Sequence, residues 1–313
     1  MTAAPAVVVA LGDSITVGVG DTVGPDARNG AGWAAHLAAV LRAGTFHNLA
    51  SNGSRARDVA GSQLTEALRL SPALATVLVG GNDVLRSDFS AREIEDALAW
   101  TAGALSAAGS DVVLVRLPVI GLFELAPRTV RRVMRRRVAT VNAAVDAAAA
   151  ATRRAPGRVV VVDGTTAIAP AGARAWHIDR VHPSPAGHRR LALGVARAWI
   201  DQRPLPGPAP QPGEFSTRQA PAGTTPSDAV LKAHLPTAPE PPSRWQRAGW
   251  LVVHGIPWTW RRGGDFLPGL IRAVAADLRS ERTRSPGEPS TGSADPGLDQ
   301  DEHLPGRNRP AAG

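Results

Sequence analysis

Val7-Val8-Val9-Ala10-Leu11-Gly12-Asp13-Ser14-Ile15-Thr16 is the stretch whose reading decides the fold. A run of apolar, mostly β-branched residues ends abruptly in Gly-Asp-Ser, and glycines recur at Gly18, Gly20 and Gly24. Such a run, bounded by turn residues, reads as a buried parallel strand feeding a loop. In open α/β sheets ligands lie beyond the carboxyl ends of the strands, where Ser14 falls. Gly12 has access to backbone conformations closed to other residues, so the turn can present the Ser14 hydroxyl to a cleft. An ordinary turn that happens to hold a serine fits these ten residues as well. The rest of the chain separates the two readings.

Downstream, strand and helix patterns alternate. Trp33, Leu37, Val40 and Leu41 recur at helical spacing over 31–43, and 45–50 is a second strand that ends in Ser51-Asn52-Gly53-Ser54. A helix over 58–70 precedes a third strand, 74–79, which stops at Gly80-Gly81-Asn82-Asp83. A helix over 91–108, a strand over 111–117, a long helix over 128–152, a strand over 158–162 and a helix over 185–200 complete the pattern. On the long helix Val130, Met134, Val138, Val141 and Val145 form the core-facing stripe. Arg131, Arg132, Arg135, Arg136 and Arg137 between them read as a solvated face, because no aromatic or glycine-rich partner accompanies them. Five alternations argue a parallel sheet with helices on both faces.

Of 27 prolines most fall after Trp199, which places the compact domain at 1–202. Residues 203–244 are rich in Pro, Gly, Ala, Ser and Thr; they bury too little apolar surface to offset the entropy of ordering and read as a disordered linker. The segment 245–284 gathers Trp245, Trp250, Trp258 and Trp260, followed by an amphipathic pattern through Leu267, Leu270, Ile271, Val274 and Leu278. With Arg261 and Arg262 it suits a peripheral membrane or protein contact, or docking onto the domain. Residues 285–313 read as a disordered tail.

The chain has no cysteine, which excludes disulfides and thiolate metal sites. The first five residues lead straight into the first strand without a charged leader, and no apolar run approaches the roughly 20 residues of a membrane span. A cytoplasmic location is the expectation. The formal charge of +8 comes from 35 basic residues of which only Lys232 is lysine. That bias, with no tyrosine and abundant alanine and proline, looks like high-GC coding rather than a nucleic-acid design.

The chemistry needs a second stretch, Asp179-Arg180-Val181-His182-Pro183-Ser184-Pro185. If this loop turns back on itself, Asp179 accepts the imidazole Nδ1–H of His182 and leaves Nε2 free to take the proton of a serine. Pro183 biases His182 away from helical geometry, and Ser184 can cap the following helix. His188 lies inside that helix, where a structural role is expected, and His177 lacks an acidic partner at comparable spacing. For an oxyanion the candidate donors are the Ser14 N–H, the Gly53 N–H and the Asn82 side-chain amide.

The ordered set of Gly12-Asp13-Ser14, Gly53, Gly81-Asn82-Asp83 and Asp179-x-x-His182 resembles the SGNH hydrolases, the GDSL-type esterases and lipases, in a form similar to those of actinobacteria. Over about residues 6–200 the resemblance implies a flavodoxin-like three-layer α/β/α fold on a five-stranded parallel sheet. It implies Ser14 as nucleophile, Asp179 orienting His182 as base, and Ser14, Gly53 and Asn82 as the oxyanion hole, with Gly12, Asp13 and Asp83 in support. Ile15 stands where the GDSL name has leucine, an apolar exchange. The Gly-x-Ser-x-Gly elbow of α/β-hydrolases is absent.

The expected activity is hydrolysis of small carboxylic esters or lipid-like substrates by an acyl-enzyme, with no metal, cofactor or nucleic-acid partner. An acyltransferase of the same fold uses the same intermediate. A metallophosphoesterase, with Asp13, Asp58, Asp83 and His182 as ligands, fails on ligand count at the first strand. A non-catalytic binding protein leaves the set without a purpose. Oligomeric state and natural substrate are not indicated by the sequence.

Overall fold

In the computed structural model residues 4–21, 30–202 and 227–237, with isolated positions beyond, are described. The expected linker stretch 203–226, the tail 285–313 and nearly all of 245–284 lie outside the described residues.

β1 (Val7–Gly12) sits near the middle of the sheet because Val8, Val9, Ala10 and Leu11 have no polar group to offer water, and all four are fully buried. The chain continues through α1 (Ser14–Val17), α2 (Gly32–Val40), β2 (Thr45–Asn48) and α3 (Ala56–Asp58). A single π-turn over Val59–Gln63 joins α3 to α4 (Leu64–Leu70), followed by β3 (Leu74–Leu78), α5 (Gly81–Leu85) and α6 (Ala91–Ala107). β4 (Asp111–Arg116), α7 (Arg128–Ala151), β5 (Val159–Asp163), α8 (Gly164–Ile168) and α9 (Pro185–Asp201) complete the domain, and α10 (Asp228–Lys232) follows.

All five strands are parallel in the order β2-β1-β3-β4-β5. β1 and β3 are covered on both faces, whereas the edge strands β2 and β5 are only partly buried. Right-handed crossovers send the connection toward β2 to one face and the later ones to the other. Accordingly α2 packs on α9, and α6 packs on α7 and α4. This is the flavodoxin-like arrangement that the resemblance implied, with the parallel sheet and two helical faces expected from the alternation. Strand order reverses between β1 and β3, so the crevice opens at their carboxyl ends.

Differences from the sequence reading have local causes. The helix expected from 58 begins at Ala56, because its N–H is accepted by Asp83 from across the crevice at 3.1 Å. β2 stops at Asn48, whose side chain turns back to donate to the Thr16 carbonyl (2.9 Å). On α7 the stripe is as read except that Val133 is buried and Val130 only half-buried. The solvated arginine face has exceptions: Arg137 donates to the Val84 and Arg86 carbonyls (both 2.9 Å) and lies over Phe89, Arg131 donates to the Glu124 carbonyl (3.1 Å), and Arg135 pairs with the Glu124 carboxylate.

The linker reading also needs correction at 227–237. There α10 buries Leu231 against the core, and Arg189 of α9 donates from Nε to the Pro236 carbonyl at 2.8 Å. Among the described residues no helix is long and apolar enough to cross a membrane.

Candidate active site

At the carboxyl end of β1 the chain must turn without a side chain. Gly12 has φ 154°, and a Cβ there would stand 2.3 Å from the Leu78 carbonyl of β3. Asp13 then caps α1, its Oδ1 accepting the Ile15 N–H at 3.0 Å, and Ser14 is delivered to the crevice as the first residue of that short helix. Asp13 is 1 % exposed, and burial pushes its carboxyl up to about 6 against the Ile15 N–H and the charge relation to His182.

The loop after the 3₁₀ turn Ala169–Arg174 brings His182 to the crevice. Arg180 takes a left-handed φ of 54°, uncommon for a residue with a side chain, and folds Asp179 back under His182. Asp179 Oδ1 accepts the Val181 and His182 N–H groups (2.8 and 3.0 Å), which fixes the carboxylate plane. Its Oδ2 meets His182 Nδ1 at 2.8 Å, and His182 Nε2 meets Ser14 Oγ at 2.8 Å. Since a carboxylate only accepts, the Nδ1 proton points to Asp179 and Nε2 faces the serine hydroxyl as acceptor. Burial pushes the Asp179 carboxyl up, but His177 and His182 more than offset it and hold the group well below the ordinary carboxylate range.

Ser184 caps α9 through the Gly187 N–H (3.1 Å), as the Ser-Pro pair suggests, and also donates to the Arg174 carbonyl. His188 belongs to the core: it is fully buried, with Nδ1 accepting the Trp33 N–H (3.1 Å) and Nε2 donating to the Val19 carbonyl (2.9 Å). His177 departs from expectation. It does find an acid, its Nδ1 lying 3.3 Å from Asp179 Oδ2.

The other strand ends close the site. Gly53 holds φ 84°, a left-handed conformation that suits glycine, and Asn82 donates from Nδ2 to the Ser54 carbonyl (3.0 Å). Asp83, 1 % exposed, accepts Arg55 Nε (3.2 Å) and the Ala56 N–H (3.1 Å). Ser14, Gly53, Asn82 and His182 border one cleft of ≈ 170 Å³, whose apolar wall includes Val19, Leu85, Ile120 and Val181. Asp58, drawn as a metal ligand in one sequence alternative, instead accepts the Arg55 N–H at 2.8 Å. Among the described residues no group of three or more His, Asp or Glu side chains stands close enough to hold a metal ion.

Gln63 and Arg55 were not singled out from sequence. Gln63 Oε1 accepts the Gly12 N–H (2.8 Å), and its Nε2 donates to the Gly12 carbonyl (3.0 Å) and to Ser54 Oγ (3.1 Å). One side chain thus ties the turn after β1 to the loop after β2. The available signal was a glutamine between Val59 and Leu64 on an otherwise apolar helix face. Arg55 pairs with Asp83 and Asp88, so the loops after β2 and β3 are joined by charge as well. Nothing in the sequence around Arg55 marks it.

No curated protein matches the chain. Among solved structures, an acetylxylan esterase from Geobacillus stearothermophilus is 25% identical over 62% of this chain and 92% of its own, with a TM-score of 0.47. An alpha/beta hydrolase enzyme from the metagenome of Lake Arreo, Spain, is 22% identical over 60% of this chain and 92% of its own, with a TM-score of 0.47. The sequence profile of the GDSL-like Lipase/Acylhydrolase family matches residues 10–190, more than half of the chain. The chain therefore belongs to the GDSL-like lipase/acylhydrolase family and is a carboxylic ester hydrolase.

Proposed function

We propose that the protein hydrolyses esters of short carboxylic acids through an acyl-enzyme on Ser14. The observation that carries this reading is the unbroken chain from Ser14 Oγ through His182 to Asp179, each step 2.8 Å, at the edge of a cleft. His182 Nε2 takes the Ser14 proton as Oγ attacks the carbonyl carbon. The negative oxygen that results is held by the Ser14 and Gly53 N–H groups and by the Asn82 amide. Collapse expels the alcohol, which leaves with the proton from His182. Water then gives a proton to His182 and attacks the acyl carbon, releasing the acid and restoring Ser14.

Cleft size supports a short acyl group. At ≈ 170 Å³ the cleft is small beside the roughly 300–1,000 Å³ of common ligand pockets. Val19, Leu85, Ile120 and Val181 give that group an apolar wall. The test is kcat/KM on p-nitrophenyl acetate, butyrate and octanoate, with Ser14→Ala alongside. Acetate or butyrate should be preferred, and Ser14→Ala should lose at least about 10³-fold. Preference for octanoate overturns the short-acyl reading, and an active Ser14→Ala enzyme overturns the nucleophile. Added alcohol reports acyl transfer directly, as a new ester in place of the acid.

A further inference from the structure

Asp179 faces two imidazoles. Its Oδ2 lies 2.8 Å from His182 Nδ1 and 3.3 Å from His177 Nδ1, while Oδ1 is taken by the Val181 and His182 N–H groups. The two histidines are locked opposite each other by backbone as well: the His177 N–H donates to the His182 carbonyl at 2.9 Å, and the His177 carbonyl accepts the Arg180 N–H at 3.0 Å. A bridge between Trp176 and Pro183 closes the loop behind them. Gly20 presses on both, since a Cβ there would come within 3.2 Å of the Cβ atoms of His177 and His182. The His177 side chain is 13 % exposed and that of Asp179 16 %, so solvent screens the trio only weakly.

We propose that His177 is a positioning residue of the reaction, which shares the Asp179 carboxylate with His182 and thereby sets the pH at which His182 becomes free to take the Ser14 proton. The inference rests on the acyl-enzyme reading above. A second N–H drawn to the same carboxylate oxygen weakens that oxygen as an acceptor for the first, and a charged His177 opposes charging of His182. Both effects favour neutral His182 and extend activity toward acid. Around the trio the charged groups are Asp13 from the turn after β1, Asp21 from the loop after α1, and His188 and Arg189 from α9. On the loop itself Arg174 and Arg180 are exposed. Arg189 is committed to Asp21 Oδ1 at 2.8 Å. None of these groups is changed by substituting His177.

The test is the pH profile of kcat/KM on p-nitrophenyl acetate for wild type, His177→Ala and His177→Asn, with Ser14→Ala as control. In His177→Ala the acid limb should move to higher pH by about half a unit or more. His177→Asn, which supplies an N–H donor but no charge, should bring the midpoint part of the way back toward wild type. Should His177→Ala fail to fold, His177→Leu is read the same way. A role confined to packing lowers stability or kcat without moving the limb, so an unmoved midpoint in the alanine or leucine variant overturns the proposal. The acyl-enzyme reading fails differently: Ser14→Ala stays active, or wild type shows no acid limb at all, and this inference then falls with it.

Discussion

Replacing His188 by glutamine should change how the protein responds to acid, by an amount the structure allows to be worked out. His188 is fully buried; burial pushes its imidazole down to about 4 from an ordinary value of 6.5. The folded state therefore binds this proton more weakly than the unfolded chain. Stability from this group is complete above about 6.5 and is lost as pH falls toward 4. The difference, 6.5 − 4, is 2.5 units, or about 3 kcal/mol at 1.36 kcal/mol per unit. Asp13 has the opposite sign. Its folded value of about 6 lies above the ordinary 3.8, so its contribution is complete below 3.8 and is lost as pH rises through about 6. That difference, 6 − 3.8, is 2.2 units and again about 3 kcal/mol, so wild type alone shows little slope from the two together. Glutamine can accept the Trp33 N–H with Oε1 and donate to the Val19 carbonyl with Nε2, yet it does not titrate. Urea unfolding of both proteins between about pH 7 and about pH 4 isolates the term. The variant should gain about 3 kcal/mol on wild type over that interval. Parallel stability curves for the two proteins would refute the reasoning.

Gln63→Leu removes the acceptor of the buried Gly12 N–H and leaves the Gly12 carbonyl with only the Ser51 N–H. It should lower unfolding free energy by about 2 kcal/mol in denaturant titration and reduce kcat about tenfold or more through misplacement of Ser14. Unchanged stability would show that the side chain does not clamp the turn. Leu231→Ala empties the site where α10 docks beside α9 and should cost about 2 kcal/mol, near a 5 °C fall in melting temperature by calorimetry. An unaltered melting temperature would mean that 227–237 adds nothing to the domain.

The layers were legible because β1, β3 and β4 are buried apolar runs flanked by helical periodicity, and neither signal depends on distant residues. Helix ends set by tertiary contacts were not. Ala56 opens α3 because Asp83 caps it from another strand end, a pairing with no trace in the local sequence. The set of Ser14, Asp179 and His182 could be read because Asp-x-x-His needs only one turn of loop to meet. His177 and Asp179 are two residues apart, which in a helix sends side chains to different faces and in a strand leaves them on one face but about 7 Å apart. They converge through the left-handed Arg180 and the bridge behind it, which no spacing rule contains. The segment 227–237 was masked by its surroundings: Pro- and Ala-rich sequence on both sides hides Leu231 and Leu235, two apolar residues that suffice for a short docked turn.

The acyl-enzyme is the central claim, and covalent trapping tests it most directly. Full-length protein is treated with a fluorophosphonate, the modified peptide is located by mass spectrometry, and Ser14→Ala and His182→Ala are run beside it. The account predicts a single adduct on the peptide carrying Ser14, absent in Ser14→Ala and formed far more slowly in His182→Ala. An adduct on another residue, or undiminished labelling of Ser14→Ala with the fold intact, would contradict it.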